Sequence, residues 1–332
     1  MKKLFKNLLD NFYIQLAGLL AMFLSPVADA IGGSNAFWYL FSTLILLFIF
    51  GIFDEIKKNK IMTQDTVHIP IVIKVDNGPD TKYVLHNLIE KIEEKINLSN
   101  YEDILKKYYS INLETLIFEY NGSIYEFDRL INFTRIIKYK VNQIEKELNG
   151  RVKFHIAYFK RPSVGFILGT IFRTEAIIVY QNNDYENRFY PVLDINSRKY
   201  KENTNIINNY EIKKDLLDTN EKSILLVLNI ASHLVNINAK NLKSYKNKII
   251  LTAKSNGSIP YDSDWIDYSR EIYSIINQLQ TEFNHIIIAH SMPESLAITL
   301  GMALENYWNI TITQYENEDY KEVYKMNKIK YY

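Results

Sequence analysis

The chain contains no cysteine among its 332 residues, and its charges almost cancel. Without cysteine it can form no disulfide, no thiolate nucleophile and no cysteine-ligated metal site. The formal net charge is +1, from 39 basic and 38 acidic residues. Because a general nucleic-acid-binding protein normally carries a basic surplus, this balance argues against a nucleic-acid polymer as partner. A small anionic ligand held by a few local donors is compatible with it.

Familiar catalytic motifs are missing as well. The sequence has no P-loop, no GxGxxG turn, no HExxH helix and no nucleophile elbow. Its six histidines are scattered, and His285 and His290 do not have the spacing of two metal ligands on one helix. We therefore predict no metal site, no cofactor and no enzymatic activity.

One stretch of sequence occurs twice. The first copy contains an apolar run, a proline, a glycine and a second apolar run, at 154–157, Pro162, Gly169 and 177–180. The second copy repeats this order at 286–289, Pro293, Gly301 and 310–313. The last residue of the first run lies twelve residues before the glycine in both copies, since 169−157 and 301−289 are equal.

Each copy indicates a buried strand, a loop that opens a helix near the proline, and a second strand. In such βαβ units the loop between strand and helix is where nucleotide-binding folds usually hold their ligand. We expect the two glycines to serve close packing of helix against sheet. Two such loops in one chain predict a two-lobed pocket with pseudo-twofold symmetry, which suits a ligand built of repeated units.

The first 60 residues differ in character from the rest. Residues 12–28 and 36–53 are almost wholly apolar, and helices of 17 and 18 residues extend about 26 Å, close to a bilayer core of about 30 Å. Lysines precede the first span and follow the second, whereas the connector 29–35 has no Lys or Arg. The positive-inside rule then predicts a two-helix transmembrane hairpin with both termini and the soluble part in the cytoplasm.

Two alternatives apply to this segment. The first span and the small residues at 28–30 also resemble a secretory signal peptide with its cleavage site. The second span would then act as a stop-transfer anchor, and the large C-terminal part would again be cytoplasmic. A buried helical hairpin in a soluble protein is the other alternative, although residues 44–50 have no polar face.

Strands and helices alternate in the remainder. In the first half we predict a strand at 68–75, a helix at 82–96, a hairpin of strands 116–120 and 123–127 around Asn121-Gly122, and a helix at 128–148. In the second half we predict strands at 224–230 and 248–253 and a helix at 265–283. This alternation predicts an α/β fold with parallel sheets, divided into a hairpin (1–60), lobe 1 (61–205) and lobe 2 (206–332).

Residues 287–301, IIAHSMPESLAITLG, resemble the signature segment of SAVED domains, and 154–169 is a weaker, bulkier counterpart. The likeness extends in organisation over about residues 65–325. It implies two fused CARF-like Rossmann lobes that sense cyclic oligonucleotides in bacterial anti-phage signalling, in CBASS and some type III CRISPR systems. SAVED domains are fused to an effector that the ligand switches on. With its apolar hairpin, the chain is similar to SAVED effectors that have two transmembrane helices.

Candidate ligand-binding residues lie in the duplicated loops and at the strand ends beside them. They are Tyr158, Phe159, Lys160, Arg161 and Ser163 in lobe 1, and His290, Ser291, Met292, Glu294 and Ser295 in lobe 2, with Asp76, Asn77, Ser232 and His233 at the ends of the first strands. Lysine and arginine can neutralise phosphate, serine can donate its hydroxyl, and the helices offer free N–H groups. The aromatic residues either stack a base or pack in the core. The histidine either contacts the ligand or is a satisfied loop residue.

These observations lead to one functional hypothesis and two alternatives. We predict a membrane-anchored sensor of a cyclic oligonucleotide, with a cyclic trinucleotide favoured, in antiviral defence by abortive infection. Ligand-driven homo-oligomerisation would rearrange the hairpins and disrupt the bacterial inner membrane. The alternatives are a membrane-tethered phosphodiesterase that cleaves the cyclic ligand, and a passive scaffold that recruits a separate effector.

Overall fold

The computed structural model describes residues 11–22, 34–62, 65–183, 186, 188–218, 220–255 and 258–330. The chain divides into two compact units, Met1–Asp65 (unit 1) and Thr66–Tyr332 (unit 2). In unit 1 the described residues form two helices. Unit 2 contains both sheets and the remaining helices, and three short 3₁₀ helices at Leu113–Leu116, Arg198–Lys201 and Met326–Lys328.

Unit 1 contains helices α1 (Phe12–Met22) and α2 (Ser34–Met62). The start of α1 lies against the C-terminal half of α2. Asn11 Nδ2 donates to a carboxylate oxygen of Asp54 over 3.2 Å, and a Cβ at Gly51 would lie 2.6 Å from the side chain of Ile14. The end of the first predicted span and the first five residues of the connector, 23–33 in all, lie outside the described residues, and the last two residues of the predicted connector belong to α2.

Across the residues that the structure describes, no helix has both the length and the apolar character of a membrane span. The two predicted transmembrane helices are therefore not supported. Unit 1 does expose many large apolar side chains: Met22 is 80% exposed, Tyr39 75% and Phe53 67%. Exposed apolar side chains in such number are typical of a surface that contacts lipid or another protein.

Lobe 1 of unit 2 is built on a five-stranded sheet. Its strands are β1 (Val67–Val75), β2 (Ile117–Tyr120), β3 (Val152–Phe159), β4 (Ile177–Asn183) and β5 (Arg188–Ile195). They lie in the order β2-β1-β3-β4-β5, and all neighbours are parallel except β4 and β5. The helices of this lobe are α3 (Thr81–Ile96), α4 (Tyr101–Tyr109), α5 (Phe127–Glu147) and α6 (Pro162–Ile171).

Lobe 2 has a six-stranded sheet. Its strands are β6 (Tyr210–Asp215), β7 (Ser223–Asn229), β8 (Lys248–Ala253), β9 (His285–Ser291), β10 (Ile310–Glu316) and β11 (Asp319–Lys325). The order is β11-β10-β9-β7-β8-β6, with antiparallel pairing of the edge strands β11 and β6. Its helices are α7 (Trp265–Glu282) and α8 (Glu294–Ala303).

The two sheets repeat one topology. Strands β2-β1-β3-β4-β5 correspond to β8-β7-β9-β10-β11, and β6 is an addition to the second sheet. The duplicated motif falls on the same elements in both lobes, since Phe154 pairs with Ile177 and Ile286 with Ile310. The predicted α/β fold and its duplication are confirmed. The prediction of wholly parallel sheets is wrong, because each sheet ends in an antiparallel strand.

One predicted hairpin is also wrong. Strand β2 pairs in parallel with β1, and the chain after Asn121-Gly122 turns directly into α5. The buried Tyr120 explains this local structure, because its hydroxyl donates to the carbonyl of Ser123 over 2.8 Å. A Cβ at Gly122 would lie 2.8 Å from that hydroxyl. The glycine therefore makes room for a tyrosine ring instead of marking a two-residue hairpin turn.

Helices α6 and α8, one from each lobe, meet with their backbones in contact. A Cβ at Gly169 would lie 2.1 Å from the carbonyl oxygen of Ile298, and a Cβ at Gly301 would lie 2.0 Å from that of Phe166. Every residue of α6 after Pro162 is buried. The glycines thus serve helix-to-helix packing between the lobes, and the expected role in packing helix against sheet is wrong.

We expect Gly169→Ala and Gly301→Ala each to lower the free energy of unfolding by about 3 kcal/mol, because the added methyl group meets backbone that cannot rotate away. Gly18→Ala is the matched control, since a Cβ there would meet no described atom within 4 Å. Denaturant melts of the full chain measure the difference. Unfolding free energies of the two variants within 0.5 kcal/mol of the wild type, about the scatter of a surface substitution, would contradict the close contact.

Candidate functional site

The candidate site lies where the carboxyl ends of the parallel strands meet the amino ends of α6 and α8. Helix α6 begins at Pro162 and α8 begins directly after Pro293, as the duplicated motif predicts. Loops at this end of an α/β sheet form the crevice in which such folds bind ligands. The structure forms two cavities there, one in each lobe.

The lobe-1 cavity is charged. It has a volume of about 610 Å³ and is lined by Asp76, Asn77, Asn121, Lys160 and Arg161, four of them predicted site residues. Lys160 and Arg161 both have left-handed backbone conformations, with φ of 70° and 58°. Non-glycine residues adopt this region at a cost of order 1–3 kcal/mol each, and such strain is concentrated at functional sites.

Arg161 joins the two lobes through carboxylates. Its Nε donates to Asp76 Oδ2 in lobe 1 over 2.6 Å, and one of its terminal nitrogens lies 3.7 Å from Glu316 Oε1 in lobe 2. Burial alone would lower the pKa of Arg161. The hydrogen bond to Asp76 and the charge of that carboxylate outweigh this effect, so the pKa of Arg161 is raised. The other carboxylate oxygen of Glu316, Oε2, lies 3.3 Å from Lys321 Nζ. An anionic ligand must therefore compete with carboxylates for this guanidinium.

The lobe-2 cavity is uncharged in its lining. It has a volume of about 590 Å³, and its described lining consists of Pro162, Ala231, Ser232, His233, Leu234, Asn236, His290, Ser291, Met292, Gln314, Tyr315 and Tyr320. The duplication aligns Met292 with Lys160 and Pro293 with Arg161, because the two copies are offset by 132 residues (292−160). The cations of lobe 1 therefore have no counterpart in lobe 2.

His290 lies in this neutral cavity and is 5% exposed. Its ring makes at most one weak hydrogen bond, to the backbone of Thr313, so at least one ring nitrogen has no partner among the described groups. Its ring centroid lies 5.5 Å from that of Phe166. Burial lowers the pKa of His290 to about 4, although the backbone of Thr313 partly offsets this effect. The imidazole is therefore neutral at pH 7, with one donor and one acceptor.

The amino end of α8 is capped from the other lobe. Gln181, near the end of β4 in lobe 1, accepts a hydrogen bond at Oε1 from the amide of Ser295 over 3.3 Å. Its Nε2 donates to Glu294 Oε2 over 3.1 Å. Glu294 lies in the first turn of α8, where a carboxylate is stabilised by the helix dipole. Both predicted residues therefore contact a glutamine that the sequence analysis did not consider.

Gln314 is the counterpart of Gln181. Each is the fifth residue of the second strand in its motif copy, at 177–181 and 310–314. Gln314 lines the lobe-2 cavity, and its Oε1 is buried with no hydrogen-bond partner in the described chain. The shared position in the repeat is the signal that could have identified both residues.

Tyr158 and Phe159 do not present a ring face to a ligand. Their exposures are 1% and 3%, which favours core packing, one of the two predicted alternatives, over stacking on a base. The Tyr158 hydroxyl donates to the carbonyl of Arg161 over 2.6 Å. The Phe159 ring lies 2.7 Å from where a Cβ would stand at Gly78. Both side chains are buried and hold the strained loop in place, as the core-packing alternative predicts.

The other predicted residues occupy varied surroundings. The hydroxyls of Ser163 and Ser295, at the amino ends of α6 and α8, are buried without a hydrogen-bond partner in the part of the chain described. The carbonyl of Ser291 accepts from the amides of Ile230 and Ala231, which joins the loops after β7 and β9. Ser232 and His233 are exposed at the mouth of the lobe-2 cavity, and Met292 is buried in its wall.

The structure also brings together two histidines that the sequence separates. His68 Nδ1 lies 2.7 Å from His155 Nε2, and His155 Nδ1 lies 2.8 Å from the Tyr180 hydroxyl. Burial lowers the pKa of both histidines, that of His68 to about 4. Within the described ranges, no group of three or more His, Asp or Glu side chains could hold a metal ion.

Comparisons with known proteins agree with this architecture. Residues 137–326, more than half of the chain, match the family model described as SAVED, "SMODS-associated and fused to various effectors sensor domain". No curated protein matches the sequence.

Among solved structures, the Cap4 SAVED/CARF-domain containing receptor of Acinetobacter baumannii with the cyclic trinucleotide 2'3'3'-cAAA has a TM-score of 0.52 and 14% identity. The likeness covers 92% of this chain and 65% of that receptor, so the chain spans about two thirds of the receptor's length. The same receptor with 3'3'3'-cAAA has a TM-score of 0.44 and 12% identity, and the likeness covers 92% of this chain and 66% of that one. The Moraxella osloensis Cap4 SAVED/CARF-domain containing receptor has a TM-score of 0.39 and 11% identity, with coverage of 91% of this chain and 64% of that one. At these identities the likeness to the first structure shows a shared fold.

We expect the two corresponding glutamines to differ in their effect on stability. Gln181→Leu should lower the free energy of unfolding by about 1 kcal/mol, because it removes the cap of α8. Gln314→Leu should leave it within 0.5 kcal/mol or raise it, because it removes a buried oxygen that has no partner. Denaturant melts of the two variants make the comparison. A loss at Gln314 equal to that at Gln181 would show that both amides are capping groups.

Proposed function

The chain belongs to the SAVED family of sensor domains, and on this premise we propose that it is a receptor for a cyclic oligonucleotide in bacterial defence against phage. In this proposal residues 61–205 and 206–332 are the two sensor lobes and residues 1–60 are the effector. The observation that carries it is the pair of cavities, one charged and one neutral, at the duplicated loops. A ligand with alternating phosphates and nucleosides matches that pair.

The phosphate-binding part of the site is the lobe-1 cavity. Lys160 and Arg161 face it, and arginine suits two-pronged contact with a phosphodiester. A phosphate replaces the carboxylate of Asp76 with an anion of similar geometry, so the guanidinium keeps a charge-assisted partner when the ligand binds. A cyclic trinucleotide is the ring we favour, because the Cap4 receptors of the same fold have been solved with cyclic trinucleotides.

The output of the receptor is disruption of the inner membrane by unit 1. Its exposed apolar side chains support this step, and no charged residue occurs from Phe12 to Phe53 in the described part of α1 and α2. Lysines flank the apolar segments in the sequence, which favours both termini and the sensor lobes on the cytoplasmic side. Ligand-driven oligomerisation of the sensor lobes gathers the helical segments of several copies in one patch of bilayer.

Ligand binding is tested by thermal melts of the full chain in detergent with cyclic di-, tri- and tetranucleotides. A ligand at one hundred times its dissociation constant should stabilise the protein by about 2.7 kcal/mol. Arg161→Ala should weaken binding at least tenfold, since a hydrogen bond to a charged group contributes about 1.5–3 kcal/mol. Arg135→Ala, which removes a charge from the exposed part of α5, is the control and should bind normally. No stabilisation of a folded sample by any ring would end the receptor proposal.

Membrane disruption is tested with the full chain in dye-loaded liposomes. We expect dye release only when the stabilising ring is added. At a ring concentration equal to the wild-type dissociation constant, Arg161→Ala should release at most about a fifth as much dye, as a tenfold loss of affinity requires. A chain in which an unrelated membrane anchor replaces residues 1–60 should bind the ring and release no dye. Ring binding without dye release by the wild type would instead favour a scaffold. Recovery of linearised ring after incubation would favour a phosphodiesterase.

A further inference from the structure

We infer that the lobe-2 cavity is a nucleobase pocket in which His290 and Gln314 read a base that carries an amino group beside a ring-nitrogen acceptor, the edge of adenine or cytosine. The corresponding side chains of lobe 1, Tyr158 and Gln181, are already hydrogen-bonded within the protein, so the two lobes differ in base recognition. This inference rests on the proposed function and specifies which part of the ligand each lobe recognises.

The walls of the cavity suit an uncharged ring. No Lys, Arg, Asp or Glu is among its described lining residues, so a phosphate placed there would find no cation. Tyr315 is 47% exposed, and its ring lies 5.1 Å from that of Tyr320 between ring centroids. Leu234 and Met292 add apolar surface to the same lining. A base gains both stacking and apolar contact in such surroundings.

The polar groups of the cavity lie on two neighbouring parallel strands. His290 and Gln314 each lie two residues beyond Ile288 and Ile312, the last registered pair of β9 and β10, and both line the cavity. The Oε1 of Gln314 is buried without a partner in the described residues, and the His290 ring, whose hydrogen-bonding neighbour is the backbone of Thr313, keeps at least one ring nitrogen unpartnered there. Buried polar atoms are normally satisfied, so two such side chains in one cavity require an explanation, and a ligand edge provides one.

The corresponding groups of lobe 1 are already engaged. Tyr158 stands where lobe 2 has His290, since 290−158 equals the motif offset of 132. Its hydroxyl donates a hydrogen bond to the carbonyl of Arg161. Gln181, the counterpart of Gln314, bonds to the amide of Ser295 and the carboxylate of Glu294. The lobe-1 positions that correspond to His290 and Gln314 therefore offer no free amide or ring nitrogen to a base, and the amides that line the lobe-1 cavity, Asn77 and Asn121, lie beside its cations.

The edge that fits is set by the chemistry of the two side chains. The Nε2 of Gln314 donates one hydrogen to the carbonyl of Tyr315 over 3.5 Å and keeps the other, so the amide still offers one acceptor and one donor side by side. The standard partner of this pair is adenine, through an amino donor and a ring-nitrogen acceptor. Cytosine presents the same two groups on its pairing edge. On the major-groove edge guanine presents two acceptors and uracil a single carbonyl, so adenine matches the amide there and they do not. Guanine and uracil can pair with an amide through the ring N–H and carbonyl of their pairing edges. The neutral imidazole of His290 adds one further donor or acceptor without adding charge.

The test compares four homotrimeric rings, the cyclic triadenylate, tricytidylate, triguanylate and triuridylate, by calorimetric titration of the full chain in detergent. We expect the adenine or the cytosine ring to bind at least about tenfold more tightly than the guanine and uracil rings, as for one good amide–base pair. The affinities of the cyclic triadenylate and the cyclic tricytidylate, compared with each other, decide between those two bases. Gln314→Leu should reduce the preference to less than about threefold.

Gln181→Leu is the matched control, the same substitution at the corresponding position of lobe 1, and it should keep the full preference. His290→Phe retains a ring beside Phe166 and provides a second reading variant that does not depend on Gln314. Equal binding of all four rings by the wild type, or an unchanged preference in both Gln314→Leu and His290→Phe, would overturn the base pocket and leave the receptor proposal standing. If no ring binds the wild type, both fall together.

Discussion

The contact between α6 and α8 is the constraint on which the site depends. Gly165 and Gly169 of α6 meet Ala297 and Gly301 of α8, and at Gly169 and Gly301 the approach is so close that a methyl group would overlap backbone atoms. Because each helix begins at the loop after the central strand of its own lobe, this contact brings both loops into one crevice. Side chains then cross between the lobes: Gln181 caps α8, and the Tyr324 hydroxyl donates to the carbonyl of Ser163 over 2.7 Å. The small residues at four-residue spacing therefore determine the geometry of the crevice without touching a ligand.

The two lobes repeat the same backbone topology, but the side chains at corresponding positions differ in charge and hydrogen bonding. The strand order, the helix starts and the two helix-crossing glycines repeat, but the loop of lobe 1 has Lys160-Arg161 where lobe 2 has Met292-Pro293. The same divergence affects the second strands, since Gln181 is bonded at both ends of its amide and Gln314 has a buried oxygen without a described partner. A duplicated fold can keep the shape that brackets a repeating ligand while each half becomes specialised for a different part of the repeat unit.

The repeat was readable from the sequence because it is local. Apolar runs, the prolines and the glycines fixed β3, α6, β4 and their counterparts without any knowledge of the rest. What failed depends on long-range contacts. The glycines were assigned to the sheet because a sequence does not indicate which helix another helix meets. Asn121-Gly122 has the signature of a hairpin, but Tyr120 folds over the turn and the next residues begin a helix. Tyr158 and Phe159 were ambiguous between stacking and core, and only burial decides that choice.

In the lobe-1 loop, one set of contacts fixes the backbone conformation and a different set pairs the charge of Arg161. Its strained backbone at residues 160–161 is supported by buried contacts, with the Tyr158 hydroxyl on the Arg161 carbonyl and Pro162 opening the helix that follows. The guanidinium of Arg161 is instead partnered by half-exposed carboxylates, Asp76 in its own lobe and Glu316 in the other. In the proposed receptor, a phosphate would replace these carboxylates as a charge-assisted partner of similar geometry while the loop stays in place. Since Glu316 belongs to the other lobe, that exchange would also remove one electrostatic link between the lobes. Ligand binding at the loop would thereby be coupled to the contact between the two lobes.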